Sequence, residues 1–318
     1  MPENTPFGFE STTDEVLATI DLTGKLALVT GASGGLGEET ARALAARGAS
    51  VVMTARDVPK GGAAAEKIRA STGNPNVEVV KLELDSLDSV RACATHFLAA
   101  HDQLDLLINN AGIMACPFSK TRDGFEMQFG TNHLGHFLLT KLLMPALTAS
   151  APARVVNLSS GGHRMSNVLF DDPGFDQTPY DKFVSYGQSK TANILFSVEL
   201  DRRFADRGVR AYAVHPGAIA TELGRHMEPE DIKALTSSRP SGGKLPFKSV
   251  ASGAATTCYA ATTPDLEGRG GVYLEDCGVA EIIDEPGMSG VRSYALDPAS
   301  AARLWTLSEE LVGEPFPS

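Results

Sequence analysis

No stretch of this 318-residue chain approaches the roughly 18 uninterrupted apolar residues that a membrane-spanning helix needs. Its start, MPENTPFGFESTTDEVLATIDLTGK, also lacks the basic opening and apolar run of a secretory signal. Cysteine is scarce: Cys93, Cys116, Cys258 and Cys277 lie far apart, with no C-x-x-C pair. That usage argues against a disulfide framework or a zinc site and predicts a reducing cytoplasm. Positive charge is short as well. The chain has 28 Lys and Arg against 39 Asp and Glu, a formal net charge of −11. Scattered bases on an acidic chain argue against nucleic acid as a partner. A soluble protein with no membrane partner is expected, and 42% apolar residues suffice for a full core.

What is present alternates. KLALVT (25–30), VVMTA (51–55), VEVVKLEL (77–84), LDLLINN (104–110), RVVNLSS (154–160) and VRAYAVH (209–215) read as strands. Helical patterns fall over roughly 36–47, 60–71, 86–101, 123–148 and 186–205. Short Val, Ile and Leu strands between longer helices predict an α/β fold with a parallel sheet covered on both faces. The glycine-rich turn after the first strand makes the sheet doubly wound and dinucleotide-binding. Residues 24–318 are expected to form one domain. Residues 1–23 are expected to pack on it as an arm, opened by a Thr12/Glu15 capping box before Val16, Leu17 and Ile20. Two segments break the alternation and are expected to be substrate loops: 161–182, and the polar stretch 222–248, a candidate lid.

The turn itself is Thr30-Gly31-Ala32-Ser33-Gly34-Gly35-Leu36-Gly37. Glycine there lets the backbone turn sharply and approach a pyrophosphate, and the following helix offers free N–H groups. Tyr186 and Lys190 lie four apart on a predicted helix, hence on one face. A phenol's ordinary pKa near 10 is too high for proton relay at neutral pH, and a nearby ammonium lowers it.

This spacing resembles the T-G-x-x-x-G-x-G loop of the short-chain dehydrogenases/reductases, and further motifs follow in that family's order. They are Asn109-Asn110-Ala111-Gly112, Asn132 in TNHLGH, Ser160 in NLSS, Tyr186 and Lys190 in YGQSK, and His215-Pro216-Gly217 with Ile219 and Thr221. The resemblance covers about residues 22–221, and the stretch from NNAGIM to FLLTKLL is most similar to the retinol-dehydrogenase-like branch. It implies a Rossmann fold and a hydride-transfer enzyme acting on small-molecule carbonyls or alcohols, in this branch often bulky and apolar. By the same resemblance Tyr186 is the acid or base, Lys190 binds the nicotinamide ribose, Ser160 polarises the substrate oxygen and Asn132 bends a helix beside a relay water. Cofactor contacts are implied at Gly31, Ser33, Gly34, Gly35, Leu36, Gly37, Asn110, Ala111, Gly112, Tyr186, Lys190, Pro216, Gly217, Ile219 and Thr221. Homo-oligomers are common in the family, but no surface here is assignable to one.

Ala55 then Arg56 ends the second strand, where an NAD site usually carries a carboxylate. Arg56 suits a 2′-phosphate, so NADP(H) is preferred, with NAD(H) still open; the neighbouring Asp57 could blunt the contact. The family's Asp-Leu pair at the adenine falls on Glu83-Leu84, or on Asp85 if the alignment slides by two.

His133 and His136 show no metal-ligand spacing and read as structural, whereas His163 could touch substrate or serve its loop. No G-x-S-x-G surrounds Ser160, against a hydrolase. Two other functions stay open: reduction of an activated C=C bond, and dinucleotide sensing without turnover, which fold alone never excludes. The intact set Asn132, Ser160, Tyr186 and Lys190 argues against the second.

Overall fold

The computed structural model describes residues 6–225, 227–228, 230–231, 246–287 and 289–316. Strands β1 (Leu26–Val29), β2 (Ser50–Ala55), β3 (Val77–Lys81), β4 (Leu106–Asn109), β5 (Ala153–Leu158), β6 (Val209–His215), β7 (Val272–Glu275) and β8 (Gly278–Val279) form one sheet. Their order is β3-β2-β1-β4-β5-β6-β7-β8, parallel throughout except for the closing β7–β8 pair. The order reverses between β1 and β4, and the carboxyl ends of strands at such a switch point form a ligand crevice.

Helices cover both faces: α1 (Thr13–Val16), α2 (Gly35–Ala46), α3 (Val58–Thr72), α4 (Leu87–Ala100), α5 (Met127–Phe129), α6 (Gly135–Ala149), α7 (Lys182–Phe204), α8 (Val250–Thr262) and α9 (Pro298–Val312). Period-2 alternation divides the sheet between two cores. Leu28 and Val155 face the cluster under α4, α6, α7 and α9, whereas Ala27, Val29 and Val156 face the cluster under α2, α3 and α8. Burial on both faces is why these strands read as apolar runs. Val16 and Leu17 of the N-terminal segment are buried in the second cluster, and the Thr12/Glu15 capping box is formed.

Boundaries moved where side chains captured backbone groups. The third strand stops at Lys81 instead of running to residue 84, because the Glu83 N–H turns to Ser89 Oγ. The long helix expected over 123–148 is interrupted. It starts at Met127, where Glu126 accepts the Gln128 and Phe129 N–H groups, and passes through a π-helical turn, Gly130–Leu134, before α6. The helix expected from Tyr186 begins a turn earlier, at Lys182, because Asp181 caps it through the Phe183 and Val184 N–H groups. Of the loop 222–248, the stretch 232–245 lies outside the described residues, so the lid expectation cannot be placed; its first turn, Glu222–Gly224, and its end at Lys248 are described.

The helix carrying Tyr186 is backed by α9. Trp305, fully buried, stacks 4.2 Å from Phe316 and meets Phe137, Phe196 and Phe204. Removing a buried aromatic of this kind costs about 3–5 kcal/mol. Trp305→Ala is therefore expected to lose most of the stability of the fold, read as the shift of a urea unfolding midpoint.

Candidate active site

The loop after β1 is built to leave a phosphate-sized space. Gly31 sits at φ +65°, and a Cβ there would lie 2.8 Å from Ala111 Cβ; at Gly37 one would lie 2.5 Å from both Asn110 Nδ2 and the Gly31 carbonyl. The loop is clamped from β4, as Asn110 Nδ2 donates to the Thr30 carbonyl at 2.8 Å. On its open side a Cβ at Gly34 would meet nothing within 4 Å, and α2 begins at Gly34 without a side-chain cap. Uncapped N–H groups at the positive end of a helix, beside empty space, form an anion cradle. Ser33 has no hydrogen-bond partner among the described residues. Thr221 closes the far wall, 3.6 Å from a Cβ at Gly35, and Ile219 packs on Gly253 beside Leu36. These residues fit a dinucleotide.

At the adenosine end, Arg56 is exposed and makes no ion pair or hydrogen bond among the described residues. The neighbouring Asp57 carboxylate caps α3 through the Lys60 N–H at 3.0 Å and makes no ion pair with Arg56 among the described residues. Glu83 is already paired with Arg122 at 2.9 Å and Lys81 at 3.7 Å. Leu84 is buried in the first core cluster, its carbonyl pressed against Gly135.

The set expected from sequence is brought together where the end of β5, the π-helical turn before α6 and the first turns of α7 meet. Ser159 turns inward, donating to the Lys190 carbonyl at 2.9 Å, and leaves Ser160 half-exposed on the opposite side. Ser160 Oγ accepts the Gly162 N–H at 3.0 Å, so its own proton is free to donate. Tyr186 packs so closely on Gly162 that a Cβ there would lie 2.6 Å from its ring. Lys190 Nζ donates to the Leu158 carbonyl at 3.0 Å and stands 5.7 Å from the Tyr186 ring centre. Asn132 lies in the π-helical turn. Its side chain grips Ile113 at both N–H and carbonyl, 2.9 Å each, and donates to Ser189 Oγ at 3.0 Å. Gly112 is wedged in, with a Cβ there 3.2 Å from Asn132 Oδ1 and 3.5 Å from Lys190 Nζ.

Burial, not the ammonium, dominates the electrostatics. It pushes the Tyr186 phenol up to about 12, with a Ser160 hydrogen bond pulling the other way, and lowers the Lys190 amine to about 8. The nearby ammonium, expected to bring the phenol closer to working range, does not offset burial, because both groups are desolvated together. At neutral pH Tyr186 is a protonated acid.

The sequence reads His136 as structural and leaves His163 between substrate contact and a loop role, whereas it signals no role for the His215 side chain or for Gly162. His163 Nδ1 donates to the Ser160 carbonyl at 2.7 Å and its Nε2 accepts the Arg292 N–H at 3.2 Å, so it serves its loop and is fully buried. His215 Nδ1 accepts the Gly161 and Gly217 N–H groups, tying the β5 and β6 turns, the second of which carries Pro216. His136 bridges Thr30 and Asn132. Gly162 is fixed by the ring of Tyr186; its only sequence signal was the Gly pair after NLSS. Beside the site, a cavity of about 540 Å³ is lined by Ala115, Pro117, Phe118, Tyr180 and Phe183, the last one helical turn before Tyr186, and by the charged Asp181, Lys182 and Glu228.

The short chain dehydrogenase family model matches residues 25–231. Retinol dehydrogenase 12 of Mus musculus is 47% identical over 294 residues, 92% of this chain and 88% of that protein. Short-chain dehydrogenase/reductase prx1 of Penicillium rubens is 45% identical, over 91% and 85%. Among solved structures, an uncharacterized protein from Mycobacterium paratuberculosis superposes with a TM-score of 0.74 at 36% identity, covering 97% of this chain and all of that one. A Pseudomonas aeruginosa RhlG/NADP complex gives 0.64 at 25% identity, over 80% and 95%. With the family model over residues 25–231 and relatives 45–47% identical over nine-tenths of its length, the chain belongs to the short chain dehydrogenase family as an oxidoreductase of its retinol-dehydrogenase-like branch.

Proposed function

We propose that the protein interconverts bulky, apolar aldehydes or ketones and their alcohols with NADP(H). The convergence of Ser160, Tyr186 and Lys190, with Tyr186 held protonated, carries this reading. The Gly31–Gly37 cradle would hold NADP(H), with Arg56 available to a 2′-phosphate, and the bound cofactor would supply the hydride. Ser160 donates a hydrogen bond where negative charge develops on the substrate oxygen. Tyr186 transfers its phenolic proton to that oxygen, and Lys190 steadies the phenolate that results. Asn132 ties down the Gly112–Ile113 segment, which lies against Lys190. The cavity one helical turn from Tyr186, part aromatic (Phe118, Tyr180, Phe183) and part charged (Asp181, Lys182, Glu228), has a volume in the range of small-molecule sites. RhlG was solved with NADP, and the similar retinol dehydrogenases are named for an apolar alcohol; both favour the same assignment.

The test is NADPH oxidation against aldehydes and ketones of graded size, with NADH in parallel. Turnover rising with apolar bulk and favouring NADPH is expected. No turnover on any carbonyl, with NADPH binding intact by fluorescence, would reject the enzyme reading for these substrates, and saturation of the C=C bond of an enone would move the chemistry from oxygen to carbon.

A further inference from the structure

Thr30 Oγ1, in the dinucleotide loop, receives the N–H groups of Asn110 at 2.9 Å and Ala111 at 3.0 Å. With both lone pairs engaged, its proton has two acceptors in view. The Ile108 carbonyl stands 3.4 Å away and already receives the Thr30 N–H, whereas His136 Nε2 lies at 2.9 Å. On its other side, His136 Nδ1 lies 3.0 Å from the Asn132 carbonyl, which can only accept. One arrangement satisfies every atom: Nδ1 carries the proton and donates to Asn132, and bare Nε2 accepts from Thr30. Complete burial and the nearby Lys190 ammonium hold the ring neutral, its pKa lowered to about 4.

We propose that His136 is a positioning residue with two separable arms, locked in the Nδ1–H tautomer. The Thr30 arm sets the dinucleotide loop. The Asn132 arm fixes the π-helical turn whose Asn132 side chain lies against Gly112 and Lys190. This rests on the proposed dinucleotide chemistry for its kinetic readout, but the tautomer does not.

Two substitutions split the arms. In His136→Thr a hydroxyl donates back to the carbonyl four residues earlier, as helical Thr commonly does, and nothing accepts from Thr30. NADPH affinity is expected to fall about tenfold with kcat within about twofold, in keeping with one lost buried hydrogen bond. In His136→Gln the amide oxygen can accept from Thr30, while the donor to Asn132 is lost. There kcat is expected to fall about tenfold with NADPH affinity within about twofold. Parallel losses of affinity and kcat in both variants, tracking a lowered melting temperature, would show that His136 merely fills the core. Imidazole ¹⁵N NMR of the protein without NADPH is the independent measurement. A protonated Nδ1 and bare Nε2 from pH 5 to 9 are expected. An Nε2–H ring would overturn the proposal even if the catalytic reading stood, and a correct tautomer without turnover would leave the catalytic reading alone at fault.

Discussion

Tyr186→Phe is expected to lower kcat for carbonyl reduction on the order of a thousandfold while leaving the fold and NADPH affinity nearly unchanged. The phenol is buried, pushed up to about 12, and touches Gly162 with its ring, not its hydroxyl. Phenylalanine therefore keeps the packing and removes the hydroxyl, its proton and its hydrogen bond with Ser160. General acid catalysis by a positioned side chain contributes about 10²–10⁴-fold, which sets the size of the loss. The sign of the pH dependence follows from the same pair. Tyr186 stays protonated across the neutral range, whereas Lys190, lowered to about 8, is charged below that pH and neutral above it. Reduction by the wild-type protein is expected to decline as pH rises through about 8. A variant retaining a tenth or more of wild-type kcat, measured by NADPH oxidation in single-turnover mode, would remove Tyr186 from the chemistry.

Arg56→Ala is expected to weaken NADPH by about 10- to 100-fold and NADH by less than about twofold. A hydrogen bond to a charged group contributes about 1.5–3 kcal/mol, and that range converts to the stated factor. The guanidinium is exposed and has no ion pair or hydrogen bond among the described residues, so a 2′-phosphate has no internal rival for it. Asp57, the one acid beside it in sequence, is committed to the first turn of α3. Lys60 lies in the same turn but is paired with Glu222 at 3.0 Å across the cleft. Competitive titration of both dinucleotides against the variant checks this, and an unchanged ratio would assign the preference elsewhere.

The sheet was legible from sequence because most of its strands are buried on both faces and several are followed by a capped helix. The signals for Asp57, Ser86 and Asp181 lie within three residues of the N–H groups they satisfy. The π-helical turn at Asn132 was not legible. Its residues keep a helical hydrophobic pattern, and the extra residue comes from contacts with β3–α4 and Ile113 that no local window contains. The histidines were opaque for the same reason: His136 meets Thr30 across 106 residues and His163 meets Arg292 across 129. In each case the imidazole's meaning depends on which atom faces each nitrogen. Tyr186, Lys190 and Ser160 could be singled out because their order along the chain, not their spacing alone, resembles a family.

Trp305 and Phe316 have a bearing on how the protein comes into being. A chain emerging from the ribosome could assemble β1 to β3 with α2 and α3 early, since those pairings are between neighbours. The helix bearing Tyr186 and Lys190 would be synthesised well before the aromatic residues that support its back, Trp305 against Phe196 and Phe204 with Phe316 beyond them. Until those residues arrive, that helix has one apolar flank uncovered. The Gly31–Gly37 loop and the helix it opens can therefore be ordered while the helix that carries Tyr186 and Lys190 still lacks its aromatic backing.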